Sequence, residues 1–259
     1  IKGKKRQDRL VAFYLLFYPY KLFSLKYIVV AKKEVVKGIF NDIAPKYDLL
    51  NHLLSMNIDK GWRRKAMREI GENGKGKLLD VACGTGDFAI AASRAGVKKV
   101  IGIDISANMV EIGCKKVREL GLETRIELQS GDSEHIDFPD STFDTVTVAF
   151  GVRNFEHLEL GLKEMCRVLR SGGKVIILEF SMPERFPMKQ LYKFYFRHIL
   201  PTVGGWISGN KDAYVYLPES VMKFPQGNAF LKIMAECGFT QVQQRKLTFG
   251  IASLYIGLK

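Results

Sequence analysis

From residue 34 onward, apolar positions recur every three to four residues in some stretches and run almost unbroken in others. The first pattern predicts helices over 35–44, 46–55 and 59–71, with Asp59 placed to cap the third and Trp62 just inside it. Strands and helices then take turns: strands over 77–82, 98–103, 124–129, 143–150 and 173–180, helices over 87–95, 107–120 and 157–169. Several strands are continuous aliphatic runs, VTVAF and KVIILEF among them, as expected where helices cover both faces of a parallel sheet. Aromatic-rich helices follow Pro183, then a helix over 226–237. Two alternating segments, 241–248 and 251–258, read as a closing antiparallel pair. The fold class is α/β, a Rossmann-like doubly wound sheet with helical additions before and after it.

Residues 1–34 break that pattern. Their longest uncharged run, residues 10–20, is eleven residues, whereas a bilayer span needs about 20. No small-residue cleavage site follows it promptly. This basic, aromatic extension is set apart from a domain of residues 35–259, as a surface anchor or as sequence upstream of the native start. The opening Ile and a first Met at position 56 favour the second reading. Net charge is +13, but residues 1–40 hold ten Lys or Arg against two Asp or Glu, so +8 of it sits there. The remaining body gives little reason to expect a nucleic-acid partner. With 47% hydrophobic and 26% charged residues the chain is neither disordered nor fibrous. Its four cysteines lie far apart without a CxxC spacing, so neither disulfides nor a metal site is expected and a reducing cytoplasm is the natural setting.

The sharpest constellation is LLDVACGTGDFA, residues 78–89, where a strand ends, Gly84 and Gly86 turn the chain, and a helix begins. Glycine there permits a positive φ and lets a ligand approach the backbone beside free helix N–H groups. Gly84, Gly86 and Ala89, with Asp104 twenty residues after Gly84, satisfy the dinucleotide fingerprint. Asp80, however, sits immediately before the turn, where a carboxylate repels a pyrophosphate but suits an ammonium and a sulfonium. Asp104 and Asp132 follow the second and third strands, placed for ribose hydroxyls and an adenine amino group. Three acids at three strand ends favour S-adenosyl-L-methionine over NAD, and an NAD-dependent dehydrogenase is kept as the alternative of a different class. A non-catalytic lipid-binding module is a further one.

Three stretches resemble the ubiquinone/menaquinone biosynthesis C-methyltransferase family, and the likeness runs from about residue 36 to residue 258. They are YDLLNHLLSMNIDKGW (residues 47–62), FGVRN (150–154) and RVLRSGGKVIILEFS (167–181). Departures from the family pattern are Leu50 for Met, Asp59 for His, Arg170 and Ser171 for Lys and Pro, and Ala149 where some members carry a serine. The resemblance implies a class I S-adenosylmethionine-dependent methyltransferase fold and methylation of a ring carbon of a polyprenylated quinol. Demethylmenaquinol is the expected substrate, and 2-methoxy-6-polyprenyl-1,4-benzoquinol of ubiquinone synthesis is the alternative. Thr85, Asp104, Asp132 and Ser133 match cofactor-contact positions, beside Asp80, Gly84 and Gly86.

Ring carbon becomes nucleophilic when a ring hydroxyl loses its proton, so the site must favour a phenolate. Chains that methylate amide or adenine nitrogen tend to carry an NPPY-like turn after the fourth strand; FGVRN stands there instead. The resemblance implies that Arg153 and Asn154 help remove the quinol proton through a water, with Asp132 as a carboxylate partner. His52, His135, His157 and His198 are rival bases by chemistry alone. Tyr47, Met56 and Trp62 are expected on the substrate wall. Residues 186–208 interleave aromatics with Lys and Arg, as a lid toward the membrane surface would. Peripheral contact with the inner face of the membrane follows from such a substrate, and an oligomer is compatible with the sequence.

Overall fold

The computed structural model describes residues 32–199, 202 and 211–259. All but the last three residues of the N-terminal extension, and nearly all of 200–210 in the expected lid, lie outside these residues. Helices α1 (Lys32–Ile43), α2 (Tyr47–Leu54) and α3 (Ile58–Ile70) precede the first strand, β1 (Lys77–Val81). Then come α4 (Asp87–Arg94), β2 (Lys99–Asp104), α5 (Ala107–Glu119), β3 (Ile126–Ser130) and β4 (Phe143–Ala149). The chain continues through α6 (Leu158–Val168), β5 (Leu169–Phe180), α7 (Met188–Phe194), α8 (Lys211–Lys223), α9 (Asn228–Glu236), β6 (Thr240–Leu247) and β7 (Ala252–Leu258).

The strands form one seven-stranded sheet in the order β3-β2-β1-β4-β5-β7-β6. The first five are parallel; β7 runs antiparallel between β5 and β6. The closing pair expected from alternation is present, but its second member is the one inserted against β5. Side-chain alternation along β1 assigns the faces. Leu79 and Val81 pack with Leu162, Met165 and Phe230 from α6 and α9. Leu78 packs on the other face with Trp62, Ala66 and Phe88 from α3 and α4. A third apolar cluster, built from Ile39, Ile43, Met109, Tyr192, Phe196 and Val221, caps the carboxyl ends of the strands.

That cap defines where a ligand can go. Order reverses at β1, whose neighbours are β2 and β4, and a doubly wound sheet opens a crevice outside the strand ends at such a switch point. Helix α1 lies across it. Helix α1 begins at Lys32, three residues before the expected start of the domain at residue 35, and Lys32 Nζ donates to the carbonyls of Arg153 (3.1 Å) and Phe155 (2.6 Å).

Candidate active site

The glycine turn adopts the geometry expected of it. Gly86 caps α4 with φ +80°, and a Cβ there would lie 2.9 Å from Leu128 Cδ1, so only glycine fits. Gly84, at φ +54°, faces the crevice, where a Cβ would meet nothing closer than the Tyr47 ring at 3.8 Å. Asp104 holds the turn from β2: Oδ2 accepts from Gly84 N–H and Oδ1 from Ser106 N–H, both at 2.8 Å. Burial nevertheless pushes the Asp104 carboxyl above the usual range, against the pull of those two N–H groups.

The crevice has two lobes. One, with an empty volume of about 700 Å³, is bordered by Gly84, Asp104, Asp132, Ser133, Ala149 and Asn154, under a roof of Lys33, Val36 and Phe40 from α1. Its walls carry four acids, Asp104, Asp132, Glu134 and Glu156, against Lys33. That balance rejects a diphosphate and suits a cationic cofactor. The second lobe, about 660 Å³, shares Phe40, Tyr47 and Phe150 with the first and adds Ser55, Asp59, Arg63, Arg153, Phe180 and Tyr216. Phe150 and Phe180 stack there with centroids 4.4 Å apart, giving a flat apolar wall of the kind an aromatic ring packs against.

Arg153 lies at this second lobe, 9% exposed. Its partner is Glu179 of β5, with Nη1 to Oε1 at 2.8 Å; Nε reaches Ser220 Oγ at 3.2 Å and the guanidinium sits 5.5 Å from the Phe180 centroid. Burial raises the Glu179 pKa, and the Arg153 charge opposes that rise. The expected pairing of Arg153 with Asp132 does not occur: Asp132 pairs with Lys33 and accepts the Glu134 N–H at 3.0 Å. The two sit on different lobes because β5 supplies an acid directly behind the turn after β4. Asn154 borders the first lobe and accepts from Tyr216 Oη at 3.1 Å.

Other expected residues stand elsewhere. Asp80 lies beneath the crevice; Oδ1 accepts from Thr147 Oγ1 at 2.9 Å, while Oδ2 is buried without a hydrogen bond. Burial pushes its pKa to about 7. Thr85 is buried and turns away, donating to Asp48 Oδ1 at 2.5 Å. Met56 is 75% exposed and borders neither lobe, and Trp62 is buried behind the Phe150–Phe180 wall with Nε1 donating to Thr248 Oγ1 at 2.8 Å. Of the three wall residues only Tyr47 faces both lobes. Asp59 does not cap α3. Asn57 holds the cap position at φ 59°, which turns Asp59 inward to accept from Ser55 Oγ (2.7 Å) and from Arg63, with His52 Nδ1 3.0 Å from Oδ2.

The match to known proteins covers the same ground. The model of the ubiE/COQ5 methyltransferase family matches residues 28–259. A demethylmenaquinone methyltransferase of Bacteroides fragilis is 46% identical over 229 residues, 88% of this chain and 94% of that one. The ubiquinone/menaquinone biosynthesis C-methyltransferase UbiE of Geobacter sp. strain M21 is 46% identical over 235 residues, 90% of this chain and all of that one. In structure, a SAM-dependent methyltransferase of Thermotoga maritima superposes with TM-score 0.60 at 19% identity, over 86% of this chain and 98% of that one. One from Aquifex aeolicus gives 0.52 at 20%, over 76% and 88%. The dehydrogenase alternative gains no support from any of these.

Proposed function

Since the chain belongs to the ubiE/COQ5 methyltransferase family, we propose that it methylates a ring carbon of a polyprenylated quinol with S-adenosyl-L-methionine, converting demethylmenaquinol to menaquinol. The observation that carries this is the paired crevice: an acid-walled lobe at the switch point opening onto an aromatic lobe with a buried guanidinium. Gly84, Asp104, Asp132 and Ser133 would hold the cofactor, and the backbone at Gly84 leaves it room. The cofactor, when bound, supplies an electrophilic methyl group on a sulfonium.

The remaining work falls to the chain's own side chains. Tyr47, Phe150 and Phe180 orient the quinol ring, and holding two reactants in line is worth about 7 kcal/mol or more. Arg153, fixed by Glu179, places positive charge where the hydroxyl oxygen becomes a phenolate. Asn154, held by Tyr216, lines the passage on the cofactor side. Phe40 of α1 roofs both lobes and excludes water.

The prenyl tail requires access to a bilayer. Phe186, Leu191, Phe194 and Ile199 are exposed around α7, among the exposed cations Arg185, Lys189, Lys193 and Arg197. This is the composition of an interfacial surface, and among the described residues no helix is long and apolar enough to cross a membrane. The reading is therefore of a peripheral enzyme at the cytoplasmic face. Quinone analysis of a strain lacking the gene tests the function. Accumulated demethylmenaquinone supports it. Accumulated 2-methoxy-6-polyprenyl benzoquinone instead assigns the ubiquinone precursor, a pathway also in the name of the Geobacter relative.

A further inference from the structure

Lobe two carries two further charged groups, Asp59 and Arg63, beside Arg153. The Asp59 carboxylate, 3% exposed, faces this lobe, and its partner His52 faces an open cavity on the outer side of the molecule, lined also by Arg63, Arg64, Asp87 and Arg94. The two side chains meet at 3.0 Å, so together they bridge the substrate lobe and the exterior. On the outer side His52 Nε2 stands 3.6 Å from Asp87 Oδ2, and Asp87 pairs with Lys116 at 2.5 Å. Ser55 and Arg63 fix the carboxylate from two further directions. A buried acid serving as scaffold alone needs no such route to solvent.

We propose that Asp59 receives the proton of the quinol hydroxyl and that His52 passes a proton onward to the outer cavity. The inference rests on the function proposed above and names its proton acceptor. The balance is complete. The O–H bond gives its proton to Asp59 and keeps its electron pair as phenolate, and the ring carbon bonds to the methyl group as the S–CH₃ pair returns to sulfur. The resulting dienone moves its ring proton to oxygen, restoring the aromatic ring. One proton is released overall, and it leaves the pair from His52 Nε2. Asp59 passes the proton across the 3.0 Å contact to His52 Nδ1 as Nε2 releases one to the outer cavity. Arg153 on the same lobe stabilises the phenolate that remains. Asp59 is thus the catalytic residue and His52 a positioning and relay residue.

The test uses the full chain with demethylmenaquinol and S-adenosylmethionine. Asp59→Asn keeps the shape of the side chain and should lower kcat by roughly 100-fold or more, the scale of a lost general base, with cofactor affinity within about threefold. His52→Ala should lower kcat by about tenfold at unchanged KM, and added imidazole, entering through the outer cavity, should restore part of it. That rescue is something a purely structural histidine does not show. If Asp59→Asn fails to fold, the His52→Ala rescue decides alone. Wild-type kcat in Asp59→Asn, or a His52→Ala loss that imidazole does not relieve, overturns the proposal while leaving the function intact. A wild-type protein that transfers no methyl group to the quinol overturns both.

Discussion

The carboxylate of Glu179 lies 2.8 Å from the guanidinium of Arg153, and the Glu179 side chain has no exposure at all. The pair joins the turn after β4 to the end of β5, directly behind the Phe150–Phe180 wall. A buried pair of this kind is costly to break, because the survivor is left as an unpaired charge.

Glu179→Gln should therefore destabilise the fold by about 3–5 kcal/mol, and urea denaturation of the Arg153→Met/Glu179→Gln double variant should show part of that loss recovered. Arg153→Met alone should keep cofactor affinity and lower turnover by roughly 100-fold. Higher pH, where the quinol ionises unaided, should partly restore its rate. Steady-state kinetics beside calorimetry separate the two effects, and wild-type turnover would remove Arg153 from the mechanism.

Glu179 shows what the sequence made legible and what it did not. Aliphatic runs made most of the parallel strands readable, since a strand buried on both faces, unlike the edge strand β3, has few other ways to look. An acid inside KVIILEF was visible too, yet its partner stands 26 residues away, and spacing along a chain does not reveal which loop folds behind which strand. The position of β7 between β5 and β6 was hidden for the same reason: alternation identifies a strand, not its neighbours. Asp59 was misplaced because an acid before Trp62 resembles an N-cap; the left-handed backbone at Asn57 supplies the entry to α3 instead. His52 gained its partner only when α2 and α3 met. Thr85 and Trp62 lie within recognisable motifs but point away from the crevice.

Asp104→Ala should weaken S-adenosylmethionine binding tenfold or more, since each charge-assisted hydrogen bond to a ribose hydroxyl is worth about 1.5–3 kcal/mol. The fold should persist, because the residue ends a strand and only the Gly84 and Ser106 amides lose an acceptor. Isothermal calorimetry measures this, and unchanged affinity would take Asp104 out of the site.

Asp80 carries a pH signature. Its native pKa is raised by burial to about 7, above the value of about 3.9 expected unfolded. The native state then holds its proton more tightly, so the associated stability is complete below about pH 4 and is lost as pH rises through about 7. Relative to Asp80→Asn, the ligand-free wild type should lose up to about 4 kcal/mol between those limits. Denaturant titrations at pH 5 and pH 8 check it; a difference between the two proteins that does not change with pH would contradict the raised pKa.

Tyr47 and Met56 should separate cleanly. Tyr47→Ala opens the boundary between the lobes and should raise the quinol KM by roughly tenfold, as burial of a large aromatic contact is worth about 1.5 kcal/mol or more. Met56→Ala, at a position 75% exposed, should leave kcat/KM within about twofold. Equal effects at the two positions would mean that the ring binds elsewhere.

For the interfacial surface, replacing Phe186, Leu191 and Phe194 by Ser should reduce co-sedimentation with vesicles containing anionic lipid while methylation of a short-chain quinol in detergent persists. Undiminished binding would place the membrane contact on another face.

Ring-carbon methylation is read by incubating the purified protein with methyl-labelled S-adenosylmethionine and demethylmenaquinol, then identifying the product by mass spectrometry and NMR. Label is expected on a ring carbon of menaquinol, with one S-adenosylhomocysteine formed per methyl group. Label on oxygen, or no transfer to either demethylmenaquinol or the benzoquinol precursor, would contradict it.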